Sequence, residues 1–400
     1  MTCPSDVEAH AAALAGLPGM TPVRLAKVTD GFTPVTAWKA LRAGTHPADA
    51  RRRFAAAARA TDVGEVAGSY LAADVSILLP GSTAYPSMLV GDPGAPAVLF
   101  ARGDPTVLEH RARVAVVGTR SATPYGRQVA SELAADLAGE GVIIVSGLAR
   151  GIDAAAHAGV VRALDDTTAP PVGVVGTGLD EIYPASSRAL WEEVAARGAV
   201  LSESPLGTRP RPGVFPARNR IIAALSDVVV VVESHLRGGS LYTAEAAARR
   251  GIPVCAVPGS VRSASSSGTN ALLVDGCIPV RDATDVLVAV SLACAGGSGP
   301  MCSAGAALRG DPETGPEVGP REHRSVEPLP ATGRRRRSVA TGVVLTSSER
   351  RVLEALDDIP TAFETILLRT DLSIAAAAEA CDRLVQQGSV AYGPGWWCKN

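Results

Sequence analysis

Glycines and arginines recur together in the short segments that follow apolar runs of this sequence. Gly118-Thr119-Arg120 follows one run, and later runs are followed by Gly147–Asp153 and Arg237–Ser240. Glycine lets backbone N–H groups approach an anion, and the N-terminus of a following helix adds a partial positive charge. Together with arginine, these turns predict a binding site for phosphate groups. The predicted site residues are Gly118, Thr119, Arg120, Ser146, Gly147, Arg150, Gly151, Asp153, Arg218, Asn219, Arg220, Arg237, Gly238 and Ser240.

Six short apolar runs and the helical segments between them must position these turns. The runs are Val114–Val117, Val142–Val145, Val172–Val175, Ala199–Leu201, Val228–Val232 and Pro253–Val257. Ala-rich stretches with a helical period separate most of them. Continuous apolar strands that alternate with helices predict an α/β fold, in which helices cover both faces of a doubly wound parallel sheet. Ligands of such sheets bind beyond the carboxyl ends of the strands, where these turns fall.

The charge of the whole chain is nearly balanced. It has 38 Lys and Arg against 40 Asp and Glu, a formal net charge of −2. This balance excludes a nucleic-acid binder that relies on bulk basicity, and it also lacks the charge excess of a disordered chain. The arginines nevertheless occupy the strand-end turns, while acids such as Glu132, Glu192 and Glu193 lie within predicted helices. We therefore expect a local phosphate-binding groove on a nearly neutral protein.

Catalytic chemistry fits the same residues less well. The first turn lacks the GxGxxG spacing of a dinucleotide site, and no GxxxxGK[ST] motif is present. Ser146 lacks the GxSxG context of a hydrolase nucleophile. Asp153 and His157 could form a catalytic pair, but a helix-capping Asp and a buried, hydrogen-bonded His are favoured. Glu203 is either an acid/base or a residue that fixes the Arg218–Arg220 segment, and the second role is favoured.

Cysteine usage and hydropathy indicate a reduced, cytoplasmic protein. The seven cysteines are an odd number and no two have CxxC spacing, so neither a disulfide framework nor a metal site is predicted. The longest apolar runs have the length of a strand, well short of the roughly 20 residues that cross a bilayer. Asp6, Glu8 and His10 interrupt the apolar stretch that a secretion signal would need. We expect no membrane contact and no cofactor.

Composition divides the chain into residues 1–75, 76–295, 296–343 and 344–400. The first segment is helical, and Thr21 and Pro22 suit the start of a helix after a glycine-containing turn. This turn resembles the helix-hairpin-helix of a SAM-like module, although an ordinary tight turn in a small bundle is favoured. The second segment holds the α/β core, and the third predicts a flexible linker that contains Arg334–Arg337. The last segment predicts three helices and two short strands, the pattern of a winged helix.

Several ordered strings in the core carry the signature of one family. They are VAVVGTR at 114–120, SGLARGID at 146–153, VGTGLDEIYP at 175–184, FPARNRII at 215–222 and GGSLYTAEAA at 238–247. On these strings the chain resembles the DNA-processing protein A (DprA, also called Smf) family over residues from about 80 to 290, and its flanking segments are also family-like. It departs from the family pattern at Gly238-Gly239-Ser240, where Ser-Gly-Ser is frequent, and at Tyr242, which is commonly aliphatic.

The resemblance implies an extended Rossmann-like core that binds single-stranded DNA, forms a homodimer and loads a RecA-type recombinase during natural transformation. It implies no catalysis. The family's core site maps onto Gly118–Arg120, Ser146, Gly147, Gly151–Asp153 and Arg218–Arg220. We expect electrostatic, salt-dependent binding with little sequence preference. Phe215 and Tyr242 are candidates for stacking on a base, unless they belong to the core.

Two other functions stay open. Nucleoside-monophosphate phosphoribohydrolases share a Rossmann-like fold and resemble PGGxGTxxE; segment 237–245 retains Glu245 but lacks the Pro-Gly-Gly and Gly-Thr spacing. A regulator could instead act through the winged helix. Its predicted recognition helix, Ile374–Gln387, carries Arg383 but also Glu379 and Asp382, so contact with a protein fits it equally well.

Overall fold

The computed structural model describes residues 3–163, 165, 167–211, 214–295, 345–356, 361–370, 372–387, 389–393 and 396–399. The chain divides into two compact units, with the boundary between residues 295 and 345. The predicted linker 296–343, including Arg334–Arg337, lies outside the described residues.

A nine-stranded sheet forms the centre of the first unit. Its strands are β1 Ser76–Leu78, β2 Leu99–Gly103, β3 Arg113–Val117, β4 Ile143–Ser146, β5 Val172–Val175, β6 Ala199–Ser202, β7 Val228–Val231, β8 Val254–Ala256 and β9 Ile278–Pro279. Their order across the sheet is β1-β2-β6-β5-β4-β3-β7-β8-β9. The six strands predicted from apolar runs are confirmed as β3 to β8, each within about one residue of its predicted ends.

The predicted parallel sheet is confirmed for the six predicted strands, and the complete sheet is parallel except at one edge. All neighbouring pairs from β6 across to β9 are parallel. However, β2 runs antiparallel to β6, and β1 runs antiparallel to β2. Strand β1 has only three residues, and β2 ends in Arg102 and Gly103. Both strands are mostly apolar, and an apolar run does not by itself indicate whether the neighbouring strand is parallel or antiparallel.

Helices cover both faces of the sheet, as predicted. Those of the first unit are α1 Asp6–Gly16, α2 Pro22–Thr29, α3 Pro34–Ala43, α4 Ala55–Ala60, α5 Val63–Ala72, α6 Pro124–Gly139, α7 Ile152–Ala163, α8 Arg188–Arg197, α9 Val214–Ala224, α10 Leu241–Ala248, α11 Ser267–Val274 and α12 Ala283–Ala295. Helices α6, α7 and α12 pack with Val114 on one face, while α9 and α10 pack with Ala115 on the other. Successive strand residues point to opposite faces, so a sheet covered on both sides needs unbroken apolar runs.

The N-terminal helices pack on the sheet through one hydrophobic cluster. Leu14 and Trp38 belong to it, together with Phe100 of β2. The ring of Tyr70 in α5 stacks on Phe100 with 5.0 Å between the ring centroids. Thr21 caps α2 by accepting a hydrogen bond from the Arg24 backbone N–H at 3.3 Å, and Pro22 occupies the first turn. The predicted start of this helix is therefore confirmed.

The second unit contains α13 Ser347–Ala355, α14 Phe363–Thr370 and α15 Ile374–Gln386, with strands β10 Thr361–Ala362, β11 Val390–Gly393 and β12 Trp396–Lys399. The strands form an antiparallel sheet in the order β10-β12-β11. Val352, Ile366 and Leu384, one from each helix, share a buried cluster. The three predicted helices and two predicted strands are present, and residues 394–395 of the predicted turn lie outside the described part.

The strand order creates a crevice beside β3. From β3 the chain moves outward through β4, β5 and β6, and it then returns to place β7, β8 and β9 on the other side of β3. The helices that follow β3 and β7 pack on opposite faces, because α6 and α10 belong to different clusters. Chain segments that diverge in this way leave an opening at the carboxyl ends of the two strands.

His157 in α7 is fully buried against the sheet. Its predicted burial is confirmed, but neither ring nitrogen has a hydrogen-bond partner of good geometry among the described residues. Burial lowers the pKa of His157 from 6.5 to about 4; the nearby backbone of Ser146 opposes this decrease and the Arg218 guanidinium adds to it. The imidazole is therefore neutral in the folded protein at neutral pH.

This lowered pKa should make the folded state sensitive to acid. Between pH 6.5 and about 4 the unfolded chain binds a proton at His157 that the folded chain does not, so stability falls as the pH falls. The expected loss is on the order of 3 kcal/mol. Urea unfolding at a series of pH values should show that the wild-type protein loses more stability over this range than His157→Leu does. Equal losses would contradict the assignment.

Candidate nucleic-acid interface

A cavity of about 450 Å³ opens at the carboxyl ends of β3, β4 and β7. It lies at the crevice that the strand order creates. Nine of the predicted site residues line it: Gly118, Thr119, Arg120, Asp153, Arg218, Asn219, Arg237, Gly238 and Ser240. Gly147 and Arg150 line a smaller adjoining cavity of about 40 Å³, which shares Arg120 and Arg218 with the first. The structure thus brings together eleven of the fourteen residues at the carboxyl ends of the strands.

Positive charge predominates in the larger cavity. The arginines 120, 218 and 237 line it, and Asp153 is the one carboxylate among its described lining residues. Arg120 and Arg237 are exposed to solvent, whereas Arg218 is buried. Arg237 has no ion-pair partner in the described part of the chain. We call the turns Gly118–Arg120 and Arg237–Ser240 the phosphate cradle, because their glycines and guanidinium groups border the same opening.

Arg218 forms a fixed wall of the cavity. Only 6% of it is exposed; its guanidinium donates to the backbone oxygen of Val174 and to Oδ1 of Asn219 at 3.1 Å. Nη2 lies 3.6 Å from Oδ2 of Asp153. A side chain at Gly147 would overlap this guanidinium, so glycine is required there. Burial lowers the pKa of Arg218 to about 10, which still leaves the group charged at neutral pH.

Asp153 balances that buried charge from the first turn of α7. It is 5% exposed, and burial raises its pKa. The Arg218 guanidinium and hydrogen bonds from the backbone of Ala149 and Gly118 oppose this increase. The carboxylate therefore joins the turn after β3 to the turn after β4, besides lying at the start of its helix. Its partners leave it poorly placed to act as a general base on a ligand.

Glu233 is a structural support that the sequence analysis missed. Its backbone oxygen accepts a hydrogen bond from Thr119 N–H at 2.7 Å, and its buried carboxylate accepts from the N–H and hydroxyl of Thr123 at 2.9 and 2.5 Å. Gly126 leaves room for this carboxylate, because a Cβ there would overlap it. Glu233 thus fixes the Gly118–Arg120 turn. A lone acid at the end of an apolar run is the signal that could have found it.

Three predicted contact residues do not line either cavity. Ser146 is fully buried, and its hydroxyl donates to the Val116 backbone oxygen at 2.6 Å. Gly151 has φ +84°, and a side chain there would overlap the Thr119 backbone oxygen, so it shapes the turn beside Thr119. Arg220 donates to Glu203 at 2.5 Å. This contact agrees with the role favoured for Glu203, fixing the segment, whereas Arg220 stays a predicted site residue that lines neither cavity.

The residues of the competing functions lie elsewhere. Glu245 is paired with Arg249 at 2.7 Å along α10 and does not line the cavity. Tyr242 is likewise absent from the lining, and the side chain of Phe215 lies outside the described part.

No group of three or more His, Cys, Asp or Glu residues in the described chain could hold a metal ion. Among the same residues, none of the helices combines the length and the apolar character needed to span a membrane.

Comparison with known proteins gives consistent matches. A family-wide sequence profile described as DNA recombination-mediator protein A matches residues 76–291. Protein Smf of Synechocystis sp. is 34% identical over 329 residues, which is 80% of this chain and 78% of that protein. DNA processing protein DprA of Bacillus subtilis is 38% identical over 221 residues, 55% of this chain and 73% of that protein. The X-ray structure of DNA processing protein A from Streptococcus pneumoniae is 28% identical and has a TM-score of 0.60, covering 72% of this chain and 98% of that one.

The matched range contains every residue of the phosphate cradle and both cavities. It also extends over more than half of the chain, and the solved relative shares the fold. The resemblance inferred from the signature strings is therefore confirmed. The chain belongs to the DNA recombination-mediator protein A family, whose members are also named DprA and Smf.

Proposed function

We propose that this chain binds single-stranded DNA and acts as a non-catalytic mediator of recombination. The observation that carries the proposal is the convergence of Arg120, Arg237 and two glycine-containing turns on one cavity. Guanidinium groups and backbone N–H groups are typical partners of nucleic-acid phosphates. The cavity is a recess at the sheet edge, which a flexible single strand can enter more readily than the convex surface of a duplex. The family's description as a recombination mediator supports the same function.

The lining of the cavity supports binding without catalysis. Its one described carboxylate, Asp153, is buried and committed to Arg218 and to backbone groups. A general acid or base must reach the proton that it transfers, and a buried, paired carboxylate does not. Among the described residues, no hydrogen bond links the hydroxyl of Thr119 or Ser240 to a carboxylate or an imidazole, and Ser240 Oγ donates to Ser234 Oγ at 2.9 Å.

We propose further that the bound strand passes to a RecA-type recombinase during natural transformation. A mediator that holds phosphates leaves most bases unread and available for pairing, which is what a recombinase substrate needs. We also propose that the protein acts in the cytoplasm as a homodimer formed through its core. The name DNA processing protein, which the relative from Bacillus subtilis carries, supports the general role.

The domain organisation is also a proposal. Residues 1–75 would form a SAM-like or helix-hairpin-helix-like module, residues 76–295 the DNA-binding core, residues 296–343 a linker and residues 344–400 a winged helix. Three helices followed by the antiparallel pair β11 and β12 support the last assignment. On α15, Arg383 donates to Glu379 at 2.5 Å, so its charge is partly occupied within the helix. This pairing favours an accessory role for the winged helix over readout of DNA.

Removing both cradle arginines should weaken DNA binding and its dependence on salt. Arg120→Ala combined with Arg237→Ala should lower affinity for an unstructured oligonucleotide by about ten-fold or more at low salt. Because each neutralised phosphate of a single strand contributes about 0.7 to the slope of log K against log salt concentration, the magnitude of that slope should fall by about 1.4. Fluorescence anisotropy at several salt concentrations measures both quantities.

The matched control is Arg197→Ala combined with Arg249→Ala. These exposed arginines lie at the C-terminal ends of α8 and α10, just before the chain enters β6 and β8 at their amino ends. Each is paired with a glutamate one turn earlier. Their removal changes the net charge equally and should cost little stability. The placement of the site is refuted if both double variants lose affinity and slope to the same extent.

The absence of catalysis has its own test. Incubation with nucleoside monophosphates should release no free base, because Glu245 lies outside the cavity and Asp153 is paired. Chromatography of the reaction mixture measures the release. Steady base release that disappears in Glu245→Gln would instead favour the phosphoribohydrolase function.

The mediator role should depend on the cradle. Wild-type protein should speed assembly of a RecA-type recombinase on single strands already covered by a single-strand-binding protein, and Arg120→Ala with Arg237→Ala should not. Recombinase ATP hydrolysis reports the assembly, with Arg197→Ala and Arg249→Ala as control. Equal stimulation by wild type and the cradle variant would show that loading does not use this site.

A further inference from the structure

A third cavity, of about 490 Å³, opens at the carboxyl ends of β3, β7 and β8. Tyr125 and Glu233 line it, together with Pro258, Gly259, Ser260 and Ser263 of the loop that follows β8. It adjoins the phosphate cradle through the segment Glu233–Ser234: Thr119 of the cradle donates to the Glu233 backbone oxygen, and Ser240 donates to Ser234. We call it the side cavity. The proposed function assigns no ligand to the side cavity.

Tyr125 is the aromatic residue in the wall of the side cavity. It lies in the first turn of α6 and is 53% exposed. Its hydroxyl approaches the Pro258 backbone oxygen at 3.5 Å, so the phenol end of the ring is directed towards the loop. A large aromatic ring that is half exposed beside a phosphate site is well placed to stack on a nucleobase.

The side cavity is preformed by the contacts of its walls. The side-chain amide of Asn270 both donates to the Gly259 backbone oxygen at 3.1 Å and accepts from its N–H at 3.2 Å. Gly259 packs directly on Ser266, since a Cβ at this position would overlap the Ser266 hydroxyl. On the other side, Thr123 is held by Glu233. A ligand would therefore bind here without first having to order the loop.

The charges in the side cavity favour a neutral ligand group. Glu233 is its one charged residue in the described lining, and no arginine or lysine lines it. A phosphate would lie near this carboxylate without a compensating cation, which is unfavourable. The hydroxyls of Ser260 and Ser263 can donate or accept, so they suit the polar edge of any base. Phosphates thus fit the cradle, and uncharged bases fit the side cavity.

We propose that the side cavity is a nucleobase site in which a base of the bound strand stacks on Tyr125, next to a phosphate held in the cradle. The inference rests on the proposed function and adds a base contact to its phosphate contacts. Stacking uses the π-face that every base possesses, so the contact tightens binding without reading sequence.

The test compares two oligonucleotides of equal length and charge, an oligothymidylate and its abasic analogue. Tyr125→Ala should weaken binding of the oligothymidylate by about five- to hundred-fold and leave binding of the abasic strand unchanged. Tyr125→Phe should bind both strands as the wild type does, because it keeps the ring. Tyr125→Leu retains apolar volume without an aromatic ring and should behave as Tyr125→Ala. Fluorescence anisotropy at one fixed salt concentration measures all four proteins.

Each other outcome overturns the inference in a recognisable way. If Tyr125→Ala binds the oligothymidylate normally, or if it loses affinity equally for both strands, Tyr125 does not stack on a base. The latter result would mean that the substitution disturbs the cradle or the fold. If wild type binds the two strands equally well, the bases contribute nothing, and the proposed function stands without a base site. If wild type binds neither strand, the proposed function fails as well.

Discussion

The buried pairing of Arg218 with Asp153 is the constraint on which the site depends. A guanidinium at 6% exposure needs a counter-charge, and removing one partner of a buried pair typically costs about 3–5 kcal/mol. The contacts of this pair reach the ends of three neighbouring strands: Arg218 binds the Val174 oxygen in β5, and Asp153 joins the turns after β3 and β4. The cradle is therefore rigid before any ligand arrives, and Gly147 is required because the guanidinium occupies the space of a side chain.

The sequence predicted the centre of the fold because a strand that is buried on both faces must consist of consecutive apolar residues. Each parallel strand from β3 to β8 is a run of apolar residues, and each following turn carries the glycines and arginines that the strand order then brings together. The antiparallel edge formed by β1 and β2 was not predicted, because an apolar run such as Leu99–Ala101 in β2 does not indicate the direction of its neighbour in the sheet. Glu233 was missed for a related reason: a single acid after an apolar run does not reveal that three hydrogen bonds will converge on it.

Arg218 and Arg220 show why neighbours in a motif need not share a role. Both were predicted to contact phosphate. Helix α9 begins at Val214, so the two residues lie within it, about 200° apart around its axis. One consequently points to the strand ends and the other to Glu203. Sequence identifies the residue types at a site, but the start of a helix decides which of them face it.

The distribution of charge fits the proposed function, in which a nearly neutral protein holds a polyanion and still releases it. Asp153 offsets Arg218 and Glu203 offsets Arg220, so these paired charges add little to the field at the surface. The exposed arginines that line the two cavities are Arg120, Arg150 and Arg237. So few exposed cations give a modest electrostatic attraction, which physiological salt weakens further. The proposed transfer of a strand to a recombinase requires release, so binding by a few exposed arginines suits it better than a broad basic surface that would retain the DNA.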